Sequence, residues 1–111
     1  MIILGGYFGY FISNTVLNDC WSYNLEDGIW TCHNLSLPPL CHHTAVAYQN
    51  NIYIFGGQRT TSEDNSYLYE LDLSNLSCNI VDTTGVSPSG RHCHKALVSD
   101  DAMFIFGGQR C

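Results

Sequence analysis

Hydrophobic runs in this chain are short, well separated and closed by glycine. Ile2-Ile3-Leu4 runs into Gly5-Gly6, Ile52-Tyr53-Ile54-Phe55 into Gly56-Gly57, and Met103-Phe104-Ile105-Phe106 into Gly107-Gly108. The three diglycines stand 51 residues apart each time. Asn51 to Gln58 matches Ala102 to Gln109, and upstream His43, Ala45 and Val46 fall over His94, Ala96 and Leu97 at the same offset. Further downstream the offset is 48, which lays Trp21-Ser22-Tyr23-Asn24-Leu25 over Tyr69-Glu70-Leu71-Asp72-Leu73. The missing residues return around Thr83-Thr84-Gly85. Length changes confined to the stretches between apolar runs are what loops tolerate. An internal repeat of this kind governs the reading of the whole chain.

Each unit reads as strand and turn, with no helical spacing. A continuous apolar run such as Ile52 to Phe55 suits a strand buried on both faces. Tyr67, Tyr69, Leu71 and Leu73 alternate with Leu68, Glu70 and Asp72, the period of a half-buried strand. Turn residues separate the runs at Glu26-Asp27-Gly28, Gln49-Asn50-Asn51, Asp72 to Asn75 and Ser99-Asp100-Asp101. The pattern predicts nine strands, near 2–6, 19–24, 29–33, 43–48, 52–56, 67–72, 77–81, 94–99 and 103–107.

A hydrophobic run ending in diglycine, an aromatic residue on the next strand and a Trp a few residues later resembles the motif of the kelch-repeat, galactose oxidase-like β-propeller family. Here the pieces are Ile2 to Gly6, Asn18-Asp19-Cys20-Trp21-Ser22-Tyr23 and Trp30. The second unit offers Ile52 to Gly57 and Tyr69-Glu70-Leu71-Asp72-Leu73, with Cys78 in the place of the Trp. Pro88-Ser89-Gly90-Arg91-His92-Cys93-His94 is similar to the Pro-x-x-Arg-x-x-His lead-in of many kelch repeats, and Leu40 replaces the Arg in the preceding unit. The resemblance implies an all-β fold: a partial kelch-type propeller of about two repeats of four-stranded antiparallel blades. Residues 1–41 would be an incomplete first blade of three strands, 42–82 a complete blade, and 83–111 the first two strands of a third. A closed ring needs about four blades or more, and a lone blade cannot cover its own faces. The chain is therefore expected to be a fragment of a larger propeller, with the missing blades supplied elsewhere.

Composition supports that expectation. Only 13% of the residues are charged, while 45% are hydrophobic, a balance that suits surface covered by further protein. The net charge is −6, and the basic side chains are Arg59, Arg91, Lys95 and Arg110 alone. Nucleic acids and anionic membranes call for clustered Lys and Arg, so neither partner is expected. The apolar start, Met1 to Ile12, is shorter than the roughly 20 residues of a spanning helix and holds Gly5, Gly6 and Gly9. The six cysteines read as reduced, mostly buried thiols in a cytoplasmic protein. The alternative is an extracellular module, which the sequons at Asn34 and Asn75 would allow.

No side chains show the spacing of a catalytic constellation, and an enzyme is not expected; a propeller oxidase of the galactose oxidase kind is the remaining alternative from another class. The diglycines open no helix, so they are not phosphate loops. Cys41-His42-His43 and His92-Cys93-His94 invite a metal reading, but adjacent strand residues point to opposite faces. No metal and no cofactor is expected. Gly5, Gly6, Gly56, Gly57, Gly107, Gly108, Trp21, Tyr23, Trp30, Tyr69, His43 and His94 are assigned to the structural motif. The aromatics are expected to pack between blades and the two histidines to be buried and bonded to backbone. The resemblance puts the loop after each diglycine and the loop before each histidine strand on one face. Tyr7, Phe8, Tyr10, Phe11, Gln58, Arg59, Arg91 and His92 are the candidate partner-binding residues there. Exposed aromatics and Arg are common interface anchors, and Arg59 and Arg91 would suit an acidic protein or peptide ligand.

Overall fold

The computed structural model describes residues 1–9 and 15–111. Among the described residues every regular element is a strand. A first sheet joins β1 (Ile2–Phe8), β2 (Thr15–Tyr23) and β3 (Trp30–His33) in that order. The second is four-stranded: β4 (Thr44–Tyr48) and β5 (Asn51–Phe55), then, after a small hairpin of β6 (Gln58–Thr60) and β7 (Glu63–Asp64), β8 (Leu68–Asp72) and β9 (Ser77–Ile80). Its order is β4-β5-β8-β9, all antiparallel. The third sheet pairs β10 (Lys95–Ser99) with β11 (Ala102–Phe106).

The turns follow from their residues. Gln49 and Asp100, equivalent positions in the β4–β5 and β10–β11 hairpins, take φ of 52° and 53°, a region that Gln and Asp tolerate only in tight turns. Asn24 caps the β2–β3 turn by accepting the Glu26 N–H at 2.9 Å. The core lies between the first and second sheets. Ile54, Tyr69, Leu71 and Cys78 of the second sheet meet Leu37 and Leu40 of the linker after β3, with Leu4 packed against them. Leu40, Ile54 and Leu71 are completely buried, and each such side chain contributes roughly 1.5–3 kcal/mol.

The third sheet shows the two-residue period clearly. Leu97 lies opposite Phe104 and Lys95 opposite Phe106, and Leu97, Phe104 and Phe106 are all exposed. The other face, with Ala96, Val98, Met103 and Ile105, is partly buried. Val98 and Met103 share a hollow with Tyr48, Tyr53 and Leu68 of the second sheet.

Three expectations need correction. Eleven strands are present among the described residues rather than nine. The β6–β7 hairpin falls in Gln58 to Asp64, whose polar residues carry no apolar period to announce it. The first sheet is also longer than expected: β1 passes through a bulge between Leu4 and Gly6 and continues to Phe8, paired with Thr15. Tyr7 and Phe8 are thus strand residues, not loop residues. Third, Trp30 does not pack between sheets. It is 47% exposed, and its ring lies 4.8 Å from that of Tyr23 on the adjacent strand of the same sheet. Of the other aromatics, Trp21 is half-buried and donates to Asp19 at 2.8 Å, while Tyr69 is buried in the core.

Candidate functional site

Neighbouring sheets are joined by a seam that repeats with the sequence. The second glycine of one diglycine donates to a carbonyl of the next sheet's lead-in: Gly6 N–H to Leu40 O at 2.8 Å, Gly57 N–H to Arg91 O at 2.8 Å. The first glycine is pressed against the same carbonyl. A Cβ on Gly5 would stand 2.6 Å from Leu40 O and 3.3 Å from His43 Cε1. One on Gly56 would stand 2.5 Å from both Arg91 O and His94 Cε1. Both glycines have positive φ, 58° and 69°, so the backbone shape and the space each exclude a side chain. The second glycine of each later pair closes on the histidine of its own sheet: Gly57 against His43, Gly108 against His94.

The two histidines are therefore wedges. His94 is buried; its Nε2 is 2.7 Å from Thr44 Oγ1 of the second sheet, and its ring meets Phe55 edge-on at 5.7 Å. The short contact is to a side-chain hydroxyl, because the seam brings β4 within reach. The Nδ1 atoms of His43 and His94 are buried with no hydrogen-bond partner among the described residues. Burial holds the pKa of both below the ordinary histidine value. The Arg91 charge adds to this at His94. Both rings are neutral wedges near neutral pH.

Next to the seam lies the rim formed by the residues after each diglycine. Cys41 and Gln58 exchange backbone hydrogen bonds at 3.1 and 2.8 Å, as His92 and Gln109 do at 2.9 and 2.8 Å. Tyr7, Val16, Cys41, His42, Gln58, Thr60 and Thr61 enclose a cavity of about 210 Å³. His42, at φ 58°, holds its ring 5.4 Å from Tyr7 and 6.4 Å from His92.

The predicted partner-binding residues are not all gathered here. Tyr7 and Gln58 line the cavity. Arg59, next along β6, stands at the register shift between Gln58 and Thr60 and does not line this cavity. It lines a separate hollow with Pro38, Pro39, Tyr69 and Cys78 and meets Glu63 at 3.4 Å, an exposed pair. Arg91 is committed to its surroundings, donating to Ser89 O, Gly107 O and Ser89 Oγ at 3.2 Å each. His92 is turned toward Asp64, Nδ1 to Oδ1 2.7 Å. Phe8 is 68% exposed; Tyr10 and Phe11 lie outside the described residues.

Sequence reasoning passed over Asp64 and Asn65, weighed His42 only as a metal candidate and took Cys111 only as one of six thiols. Asn65 is buried and organises the hairpin, its Nδ2 donating to Gly56 O at 3.1 Å and to Tyr67 O at 2.9 Å. Burial pushes the Asp64 carboxyl up, but hydrogen bonds from Cys111 N–H, from His92 and from the Cys111 thiol outweigh it and hold the pKa below the usual carboxylate value. These residues fall in polar stretches without period, and only the pairing of β6 with β7 brings them to the seam. The thiols of Cys20, Cys41 and Cys78 are raised, burial being the largest cause.

The comparisons agree with this geometry. The whole chain, residues 1–111, matches the family described as the KLHDC2/KLHL20/DRC7 Kelch-repeats domain. It is 35% identical over 85% of its length to Ras guanine nucleotide exchange factor F of Dictyostelium discoideum, of which it covers 9%. It is 30% identical over 77% of its length to the human Rab9 effector protein with kelch motifs, covering 24% of that protein. With human Host cell factor 2 the identity is 33% over 83% of the chain and 13% of the relative. The chain thus spans less than a quarter of the length of these relatives. With a family match over its whole length and the diglycine–histidine seam repeated between its sheets, the chain belongs to the kelch-repeat domain family.

Proposed function

We propose that this chain is a noncatalytic protein-interaction module and forms part of a longer cytoplasmic kelch scaffold or adaptor. On this reading residues 1–41, 42–82 and 83–111 are parts of three successive blades. Further blades cover the outer faces, and a protein or peptide ligand docks on the rim. The observation that carries the proposal is the outward face of the third sheet. Leu97, Phe104 and Phe106 are exposed side by side, while the equivalent strands β4 and β5 have a neighbouring sheet over them. An unpartnered sheet face of that kind is what a further blade covers. The coverage of its relatives, 9% to 24% of their length, agrees.

For the ligand, Tyr7 and the half-buried Gln58 at the cavity, and Arg59 in the separate hollow, are the candidate anchors. Arg91, fixed by three hydrogen bonds, presents a preorganised guanidinium. Acidic side chains suit both arginines. The first test is hydrodynamic. The isolated chain is expected to self-associate and to unfold without a cooperative transition, and a stable monomer with a sharp transition would overturn the scaffold reading. The second is binding of an acidic peptide library to the full-length protein. Tyr7→Ala should weaken peptides docked at the cavity and Arg59→Ala those docked in the separate hollow, each about 10-fold, without lowering the melting temperature. Selected peptides indifferent to both changes would remove the rim as the docking face.

A further inference from the structure

We propose that Asp64, His92 and Cys111 form a binding site for one divalent cation of the zinc type, set across the seam between the β6–β7 hairpin and the third sheet. The three side chains come from distant points in the sequence and offer a carboxylate, an imidazole and a thiol. Their ligating atoms all lie within 4.8 Å of one another. Asp64 Oδ1 is 2.7 Å from His92 Nδ1 and 3.4 Å from Cys111 Sγ. Tetrahedral zinc with bonds of about 2.0–2.3 Å holds its ligand atoms roughly 3.3–3.8 Å apart, so only small side-chain rotations separate this trio from a coordination shell. Two anionic ligands and a neutral imidazole balance a doubly charged ion.

The surroundings suit the same role. The Asp64 and His92 side chains are 9% and 12% exposed, which fixes two ligands, while the Cys111 thiol is exposed. Gln58 Nε2 donates to Cys111 Sγ at 3.1 Å, and Cys111 N–H donates to the other carboxylate oxygen of Asp64 at 2.6 Å. Such outer hydrogen bonds orient metal ligands.

The fold itself does not require this trio. In the preceding seam Tyr7 pairs with Val16 as Gln58 pairs with Asp64, so Val16 is the counterpart of Asp64. Cys41 and Thr60 are the counterparts of His92 and Cys111, 51 residues earlier. Val16, Cys41 and Thr60 line the cavity there and could not hold an ion. The same backbone geometry forms with and without the charged set, so the set marks a property added at one seam.

Binding replaces the Cys111 S–H bond by a metal–sulfur bond and releases that proton to solvent, so affinity rises with pH. The test is titration of the reduced full-length protein with cobalt(II) alone, followed by zinc displacement, with circular dichroism to monitor folding. We expect one ion per chain and a thiolate-to-cobalt charge-transfer band. Cys111→Ser, a change at an exposed position, should abolish the band. Asp64→Asn and His92→Gln should weaken binding at least about 10-fold, and Cys41→Ser and Cys93→Ser should leave it intact. Absence of saturable binding, a band that survives Cys111→Ser, or one lost in Cys93→Ser would each overturn the proposal. None of these outcomes bears on the docking of a peptide at Tyr7 and Arg59.

Discussion

The seam glycine Gly56 offers the sharpest test of how the sheets are joined. In Gly56→Ala two costs combine. At φ 69° an L-residue meets its own carbonyl, at roughly 1–2 kcal/mol. The new methyl also lands 2.5 Å from Arg91 O and 2.5 Å from His94 Cε1. Neither neighbour can retreat freely. Arg91 O accepts the Gly57 N–H at 2.8 Å, and the His94 ring is held by Thr44 at 2.7 Å. Overpacking of this kind costs about 1–3 kcal/mol, for a total of roughly 2–5 kcal/mol. Gly85 is the internal control: its φ is 79° and an added Cβ meets nothing within 4 Å, so Gly85→Ala should carry the backbone cost alone, about 1–2 kcal/mol. Urea denaturation of the full-length protein, followed by far-ultraviolet circular dichroism, measures both. If Gly56→Ala costs no more than Gly85→Ala, the glycine does not hold the seam, and the explanation of the repeated diglycine fails.

Gly107 has nothing within 4 Å of an added Cβ. In the full-length protein a further blade would press on Gly107 as the third sheet presses on Gly56, so Gly107→Ala should match Gly56→Ala, and a cost no larger than that of Gly85→Ala would contradict a further blade beyond β11. Thr44→Val removes the hydroxyl facing His94 Nε2 and should cost about 1–3 kcal/mol by chemical denaturation; a neutral result would show that the contact stabilises nothing. Asn65→Ala strips three hydrogen bonds from a buried site and should destabilise by at least about 2 kcal/mol, with early loss of amide protection over β6 and β7. Because burial lowers the folded-state pKa of His43 and His94 below 6.5, the unfolded chain binds more protons below that pH. Their stabilisation is complete above pH 6.5 and drains as pH falls, by at most about 1.4 kcal/mol per pH unit for each histidine. A urea midpoint that stays flat from pH 7 to 5 would refute the neutral-wedge assignment.

The fold was legible because its signals are periodic. The 51-residue recurrence of the diglycines marks β1, β5 and β11, and the alternation from Tyr67 to Leu73 marks β8. What stayed hidden is built from residues without a period. The β6–β7 hairpin rests on backbone pairing in a polar run, Gln58 with Asp64 and Thr60 with Glu63, and no hydrophobic face announces it. Gln58 and Arg59, on either side of the register shift in that hairpin, line separate hollows, so two neighbours in sequence that looked like one binding patch serve two surfaces. Trp30 misled for a related reason. A motif position says which strand a residue occupies, but its burial depends on what covers that strand, and here its ring rests on Tyr23 in the same sheet.

The two seams separate what the repeat must keep from what it is free to change. Leu40 and Arg91 are chemically unlike, yet each supplies the same backbone carbonyl to the same glycine N–H at 2.8 Å. The scaffold reads that position only through its main chain, which leaves the side chain free. The glycines and the histidine wedge have no such freedom, because space and φ restrict the glycines and burial of an unpartnered Nδ1 restricts the ring. Val16, Cys41 and Thr60 at one seam, and Asp64, His92 and Cys111 at the next, occupy equivalent places outside those constraints. In this chain the side chains left free to vary include those of the rim, where one seam presents a cavity lined by Tyr7 and His42 and the next a carboxylate, an imidazole and a thiol within reach of a single ion.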